Sequence, residues 1–171
     1  VAGVVDKPGR ELPVGEELLL GFLDYYRSVI ARKIEDLSEA ELRTTRLPSG
    51  WAPLELVKHL LYMERRWFRW GFAAEQVSEP FGDMDGARHW HVEPADTSAT
   101  LLGALHAEGE QTRLIVSRAE LDDVAAIGGR FSEENPPPTL AWILVYVLQE
   151  YARHAGHLDV ARELIDNVTG E

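Results

Sequence analysis

The sequence predicts an all-α fold: a four-helix bundle with a long crossover between its second and third long helices. Three observations point there. Four segments repeat apolar residues at spacings of three and four, the period of a helix with one buried face. No segment alternates apolar and polar residues as a half-buried strand would. One stretch, residues 74–96, has no period and is rich in Gly, Pro and Asp. Four amphipathic helices in a chain of 171 residues are enough to close one bundle core.

Residues 1–14 read as a flexible N-terminal arm, broken by Pro8, Gly9 and Pro13, and residues 15–171 as the single bundle domain. The first long helix runs from about Glu16 to Asp36 on Leu19, Phe22, Leu23, Tyr26, Ile30 and Ile34. Ser38 and Glu41 form a capping-box pattern that opens a short turn. The second helix is WAPLELVKHLLYMERRWFRWGF, with Pro53 in its first turn, where a missing N–H costs nothing. Its apolar stripe is Leu56, Leu60, Met63, Trp67 and Trp70. After the crossover, Asp96, Thr97 or Ser98 caps a third helix that reaches about Ala119 on Leu101, Leu105, Thr112 and Ile115. A polar link, LDDVAAIGGRFSEENPPP, leads to Thr139, which can cap the fourth helix, LAWILVYVLQEYARHAGHLDVARELI.

Composition narrows the function. The formal net charge of −12 repels phosphate backbones, so no nucleic acid is expected as a partner. The one basic aromatic cluster, ERRWFRW, reads as a helix with a charged flank rather than a surface for stacking bases. The longest apolar run, LAWILVYVL, is too short to span a bilayer. The absence of cysteine excludes disulfides, thiolate metal sites and a cysteine nucleophile. It is compatible with a cytoplasmic location, and no signal-peptide pattern opens the chain. There is no HExxH motif, no glycine-rich phosphate loop and no GxSxG elbow.

One constellation carries chemistry. On the fourth helix the stripe Ile143, Val147, Tyr151, His154, Leu158, Ala161 and Ile165 mixes an imidazole with core residues, and Glu150 borders it one turn earlier. On the second helix His59 lies between Leu56 and Met63, again on the core side. Residues four apart on a helix reach one point, and a facing helix can supply a third donor. His59, Glu150 and His154 are therefore candidate metal ligands. A buried carboxylate needs a partner, and a divalent cation is one. Two imidazoles and one carboxylate leave coordination positions open, as in a catalytic zinc site; iron, nickel and manganese also accept such donors. Two alternatives stand beside this reading. His154 and His157, three apart, could complete a three-histidine set with His59. Helix faces also carry acid–imidazole pairs, and cores carry hydrogen-bonded histidines, without any metal. His89 and His91 flank Trp90 in the crossover, and His106 borders the third helix's apolar face as a candidate pocket residue. Phe81, Met84 and Trp90 suit either a pocket lid or the interface of a homodimer.

SGWAPLELVKHLLYMERRWF, HVEPADTSATLLGAL and LAWILVYVLQEYARHAGHLDVARELI together resemble the DinB-like superfamily, which includes mycothiol-dependent maleylpyruvate isomerases and bacillithiol S-transferases. The similarity is greatest to members ending in an E-x-x-R-H-x-G-H segment. It covers nearly the whole chain beyond the arm. The resemblance implies a divalent metal held by a second-helix histidine, matching His59, and by two residues four apart on the last helix, matching Glu150 and His154. Many members have glutamine at the position of His157, so an imidazole there is a departure. The implied activity is thiol-dependent S-transfer or isomerisation of a small electrophilic substrate, with a low-molecular-weight thiol such as mycothiol as cofactor and zinc as the first-choice metal. His157 and His106 are then the candidates for moving protons or orienting the thiol. The competing expectation is a non-catalytic metal- or ligand-binding stress module that acts as a dimer.

Overall fold

The computed structural model describes residues 5–169. It is helical in the order α1 (Glu16–Glu35), α2 (Glu39–Leu42), α3 (Pro53–Trp67), a π-turn (Phe68–Phe72), α4 (Ser98–Val116) and α5 (Leu140–Asp166). The four long helices form the bundle: α1 packs on α4 and α5, and α3 packs on the same two. Three isolated bridge pairs replace any named strand among the described residues. No helix among them is long and apolar enough to cross a membrane.

Each helix buries the face its spacing marks. Leu23, Ile30 and Ile34 of α1, Leu56, Leu60 and Met63 of α3, Leu101 and Leu105 of α4, and Ile143, Val147, Tyr151 and Leu158 of α5 form one continuous core. Burying each such side chain is worth about 1.5–3 kcal/mol. The starts follow local chemistry. Ser38 Oγ accepts from the Glu41 amide while Glu41 reaches back to the Ser38 amide at 2.8 Å. Thr97 is the residue that caps α4, and Thr139 caps α5 by accepting from the Trp142 amide at 3.3 Å. Residues of the N-terminal stretch lie along α1: Lys7 Nζ sits 5.2 Å from the Tyr25 ring centre, and Pro8 is 3.0 Å from where a Cβ on Gly21 would be.

The second helix departs from its expected single run. Its α-helical part stops at Trp67, and FRWGF winds as a π-turn in which Ala73 N–H donates to Phe68 O at 2.9 Å. The wider turn frees carbonyls for the α4–α5 connection. Ala126 N–H donates to Phe72 O at 2.9 Å and Arg130 N–H to Trp70 O at 3.0 Å. Gly129 is required at this seam, because a Cβ there would lie 2.0 Å from Trp70 O. Helix α4 ends at Val116, and residues through Ala119 continue as a turn.

Candidate metal centre

His59 on α3 and Glu150 and His154 on α5 come together where these two helices face each other. One potential ligand atom from each lies within 4.8 Å of the others. Glu150 and His154 are brought together by their four-residue spacing, with His154 Nε2 3.3 Å from Glu150 Oε2. His59 reaches them across the bundle, its ring centre 5.1 Å from that of His154.

Asp83 orients His59. Its Oδ2 lies 3.1 Å from His59 Nδ1, and Arg66 donates to both Asp83 oxygens, at 2.5 and 3.0 Å. Burial alone would raise the Asp83 carboxyl. Hydrogen bonds from His59 and Arg66, with the Arg66 charge, outweigh it and hold the group below the usual carboxylate range. In the neutral imidazole, an ionised Asp83 favours the proton on Nδ1, the tautomer that leaves the lone pair on Nε2.

His154 is buried, and burial first, then the neighbouring His59, His157 and Arg153, push its pKa down to about 3. The ring is neutral near pH 7. Its Nδ1 lies 3.2 Å from His157 Nδ1, so one of the two rings donates to the other. Two proton arrangements satisfy this contact. With Nε2–H donated to Glu150, His154 closes the cluster without a cation. With Nδ1–H donated to His157, His154 Nε2 and Glu150 Oε2 become acceptors that face one point together with His59. The second arrangement is a ligand set of two imidazoles and one carboxylate, and the donor chemistry fits a divalent ion.

The crossover builds the roof. Asp85 accepts from the Ala87 and His89 amides at 2.8 and 2.9 Å, and its own amide donates to His89 O at 2.8 Å. This tight loop, closed by the Met84–Trp90 bridge, sets Trp90 flat on His59 at 4.3 Å between ring centres. Trp51 lies 6.2 Å from Trp90 and 6.1 Å from His157, completing an aromatic rim. The same loop thus supplies the carboxylate behind His59 and the indole over it. Of the crossover's candidate apolar residues, Trp90 covers the site, whereas Phe81 is exposed and edges onto Trp70 at 5.9 Å.

The other histidines lie elsewhere. His89 is 79% exposed and pairs loosely with Asp85; His91 points at Glu93, 3.3 Å away. His106 is exposed on α4 and lines a cavity of about 680 Å³ with Arg27, Leu102 and Leu105 on the α1–α4 side. None of the three metal candidates lines that cavity.

Behind the cluster is a second buried polar group that periodicity did not disclose. Glu64, fully buried on α3, accepts from Arg27 of α1 at both oxygens, with the Nε contact at 3.1 Å. It also accepts from Thr112 of α4 at 2.6 Å and Tyr151 of α5 at 2.5 Å. All four long helices meet at this carboxylate. Burial and the adjacent Glu64 hold the Tyr151 hydroxyl protonated, well above its ordinary pKa.

Comparison with known proteins agrees with this architecture. A crystal structure of a conserved protein from Enterococcus faecalis superposes with a TM-score of 0.61 at 19% identity, covering 90% of this chain and 98% of that one. At that identity the likeness concerns the fold. No curated protein matches the chain. A sequence model described as mycothiol S-transferase matches residues 18–167, from the first helix through the last and across every residue of the cluster. The chain belongs to the mycothiol S-transferase family, within the DinB-like superfamily.

Proposed function

We propose that this protein is a divalent-metal-dependent S-transferase that joins a low-molecular-weight thiol, such as mycothiol, to a small electrophile. The observation that carries the reading is the convergence of His59, Glu150 and His154 within 4.8 Å, backed by Asp83 and set in a chain of this family. A divalent ion held there, zinc in the first instance, would act as a Lewis acid and lower the pKa of a thiol or water in its open position.

The chain's own residues prepare the reaction. With no cysteine in the sequence, the reacting sulfur belongs to the ligand. Asp83 and Arg66 fix the His59 ring so that Nε2 faces the cluster. His157 accepts the His154 Nδ1 proton and so selects the tautomer whose Nε2 is free. A glutamine carbonyl could accept the same proton, which gives the departure at this position a physical meaning. Trp90 and Trp51 would exclude water from the side of the cluster they cover, where a bound thiol would sit. His106, on the α1–α4 side, takes no part. The work belongs in the cytoplasm, where such thiols are kept reduced.

The test is incubation of the zinc-loaded protein with mycothiol and monochlorobimane, with the thioether followed by fluorescence. Metal-dependent thioether formation is expected. Metal binding without turnover, and without mycothiol binding by calorimetry, would replace the transferase with a metal-binding module.

A further inference from the structure

Beside the cluster is an aromatic shelf with an unpaired cation. Trp67 of α3 lies 4.6 Å from Tyr146 and 5.5 Å from Trp142, both on α5. Trp142 and Tyr146 are nearly parallel, 9° apart at 5.2 Å, and Trp142 is 50% exposed. An exposed indole stacked on a neighbouring phenol is a face on which a further ring can lie. Tyr146 is one turn before Glu150, and its hydroxyl lies beside the Glu150 carboxylate. The shelf is therefore continuous with the candidate metal centre.

Arg130 closes the far side. Its guanidinium sits 4.2 Å from the Trp67 ring centre. The π-turn and Gly129 hold its backbone, through the Arg130 N–H to Trp70 O bond at 3.0 Å and the close passage of Gly129 over the same carbonyl. Nearby Arg65, Arg66 and Arg69 all have carboxylate partners, in Glu108, Asp83 and Glu75. Arg130 forms no ion pair among the described residues, and the charge that Arg66 places near it is of like sign. In a chain of net charge −12, a half-buried cation held without a counterion beside the site is a local reversal of the prevailing field.

We infer that the electrophile is an aromatic compound carrying an anionic group such as a carboxylate, its ring on the Trp142–Tyr146 face and its anion on Arg130. This inference rests on the S-transferase reading and names the substrate class for that site. Arg130 is a specificity residue here: a planar guanidinium matches a carboxylate in two-pronged fashion, and the desolvating indole beneath strengthens the pair. For an activated aryl chloride, the thiolate sulfur bonds to the chlorine-bearing ring carbon, the carbon–chlorine pair departs with chloride, and the thiol proton passes to the buffer.

The experiment compares 4-chloro-3,5-dinitrobenzoate with 1-chloro-2,4-dinitrobenzene, mycothiol and zinc-loaded protein being common to both. The wild type is expected to favour the carboxylate in kcat/KM, and Arg130→Ala to reduce that preference about tenfold or more. Arg130→Lys is expected to fall between them. The preference is a ratio within each variant, so a loss of folded protein cancels. An unchanged ratio in Arg130→Ala overturns the inference while the transferase stands. If neither compound reacts, the monochlorobimane assay decides the transferase reading, and binding of unreactive 3,5-dinitrobenzoate, followed by tryptophan quenching, decides the subsite alone. Binding weakened about tenfold in Arg130→Ala supports it, and binding equal to the wild type's, or none at all, ends it.

Discussion

Glu64 is fully buried in the bundle and Glu150 nearly so, at 13% exposure, yet their surroundings differ in kind. Glu64 has a donor for every contact it makes: Arg27 twice, Thr112 and Tyr151. Nothing is left for a ligand to satisfy. Glu150 faces His154 at 3.3 Å with Tyr146 alongside, and its relation to the imidazole depends on where one ring proton sits. A closed polar network ties four helices to one geometry. A cluster of convergent acceptors is held in place by its neighbours, Asp83 and His157, rather than by its own members. The difference separates a carboxylate that ties the fold from one proposed to bind an ion more sharply than burial does.

Substitutions at the two carboxylates and their neighbours test that contrast. The largest effect on stability belongs to the closed network. Glu64→Ala leaves the Arg27 guanidinium buried without its main partner and should cost about 3–5 kcal/mol, measured by urea unfolding. Glu150→Ala should cost far less stability in the metal-free protein while abolishing metal binding.

Next in size are the residues behind the ligands. Asp83→Asn removes the charge that orders His59, and His157→Leu removes the acceptor that orders His154. Each should weaken zinc about 10–100-fold in a competition titration with a chromophoric chelator. His157→Gln should stay near wild type, because a carbonyl replaces the imidazole acceptor. If Leu and Gln behave alike, His157 does not position His154.

A smaller and more gradual effect concerns pH. His154 has a folded pKa near 3, below the ordinary value of 6.5. Below pH 6.5 the unfolded chain therefore takes up a proton that the folded chain refuses. Stability should fall as pH drops from 6.5 towards 3, at up to about 1.4 kcal/mol per pH unit for this group. Thermal unfolding of metal-free His154→Gln should show a shallower decline over that window than the wild type.

The helices and the convergence of His59, Glu150 and His154 were legible because both obey helical periods. Leu56, His59 and Met63 share a face, as do Val147, Glu150 and His154, so core and chemistry appear in the same rows of sequence. Three features were hidden for physical reasons. Asp83 acts from a crossover whose shape is set by Asp85 side-chain bonds and a single bridge, neither of which leaves a repeat, and the same lack of period left Trp90 open between lid and interface. Glu64, within MERRW, looks like one more charge on a charged flank; its donors are 37, 48 and 87 residues away. Arg130 looks like an ordinary loop cation until the π-turn and Gly129 bring it over Trp67.

His59, Glu150 and His154 are proposed to form one divalent-metal site. Metal analysis of the wild type beside His59→Ala and His154→Ala, each incubated with zinc and then desalted, tests it most directly. About one zinc per wild-type chain is expected and nearly none in either variant, with all three proteins folded by circular dichroism. Equal metal content in the three proteins, whether near zero or near one, would contradict it.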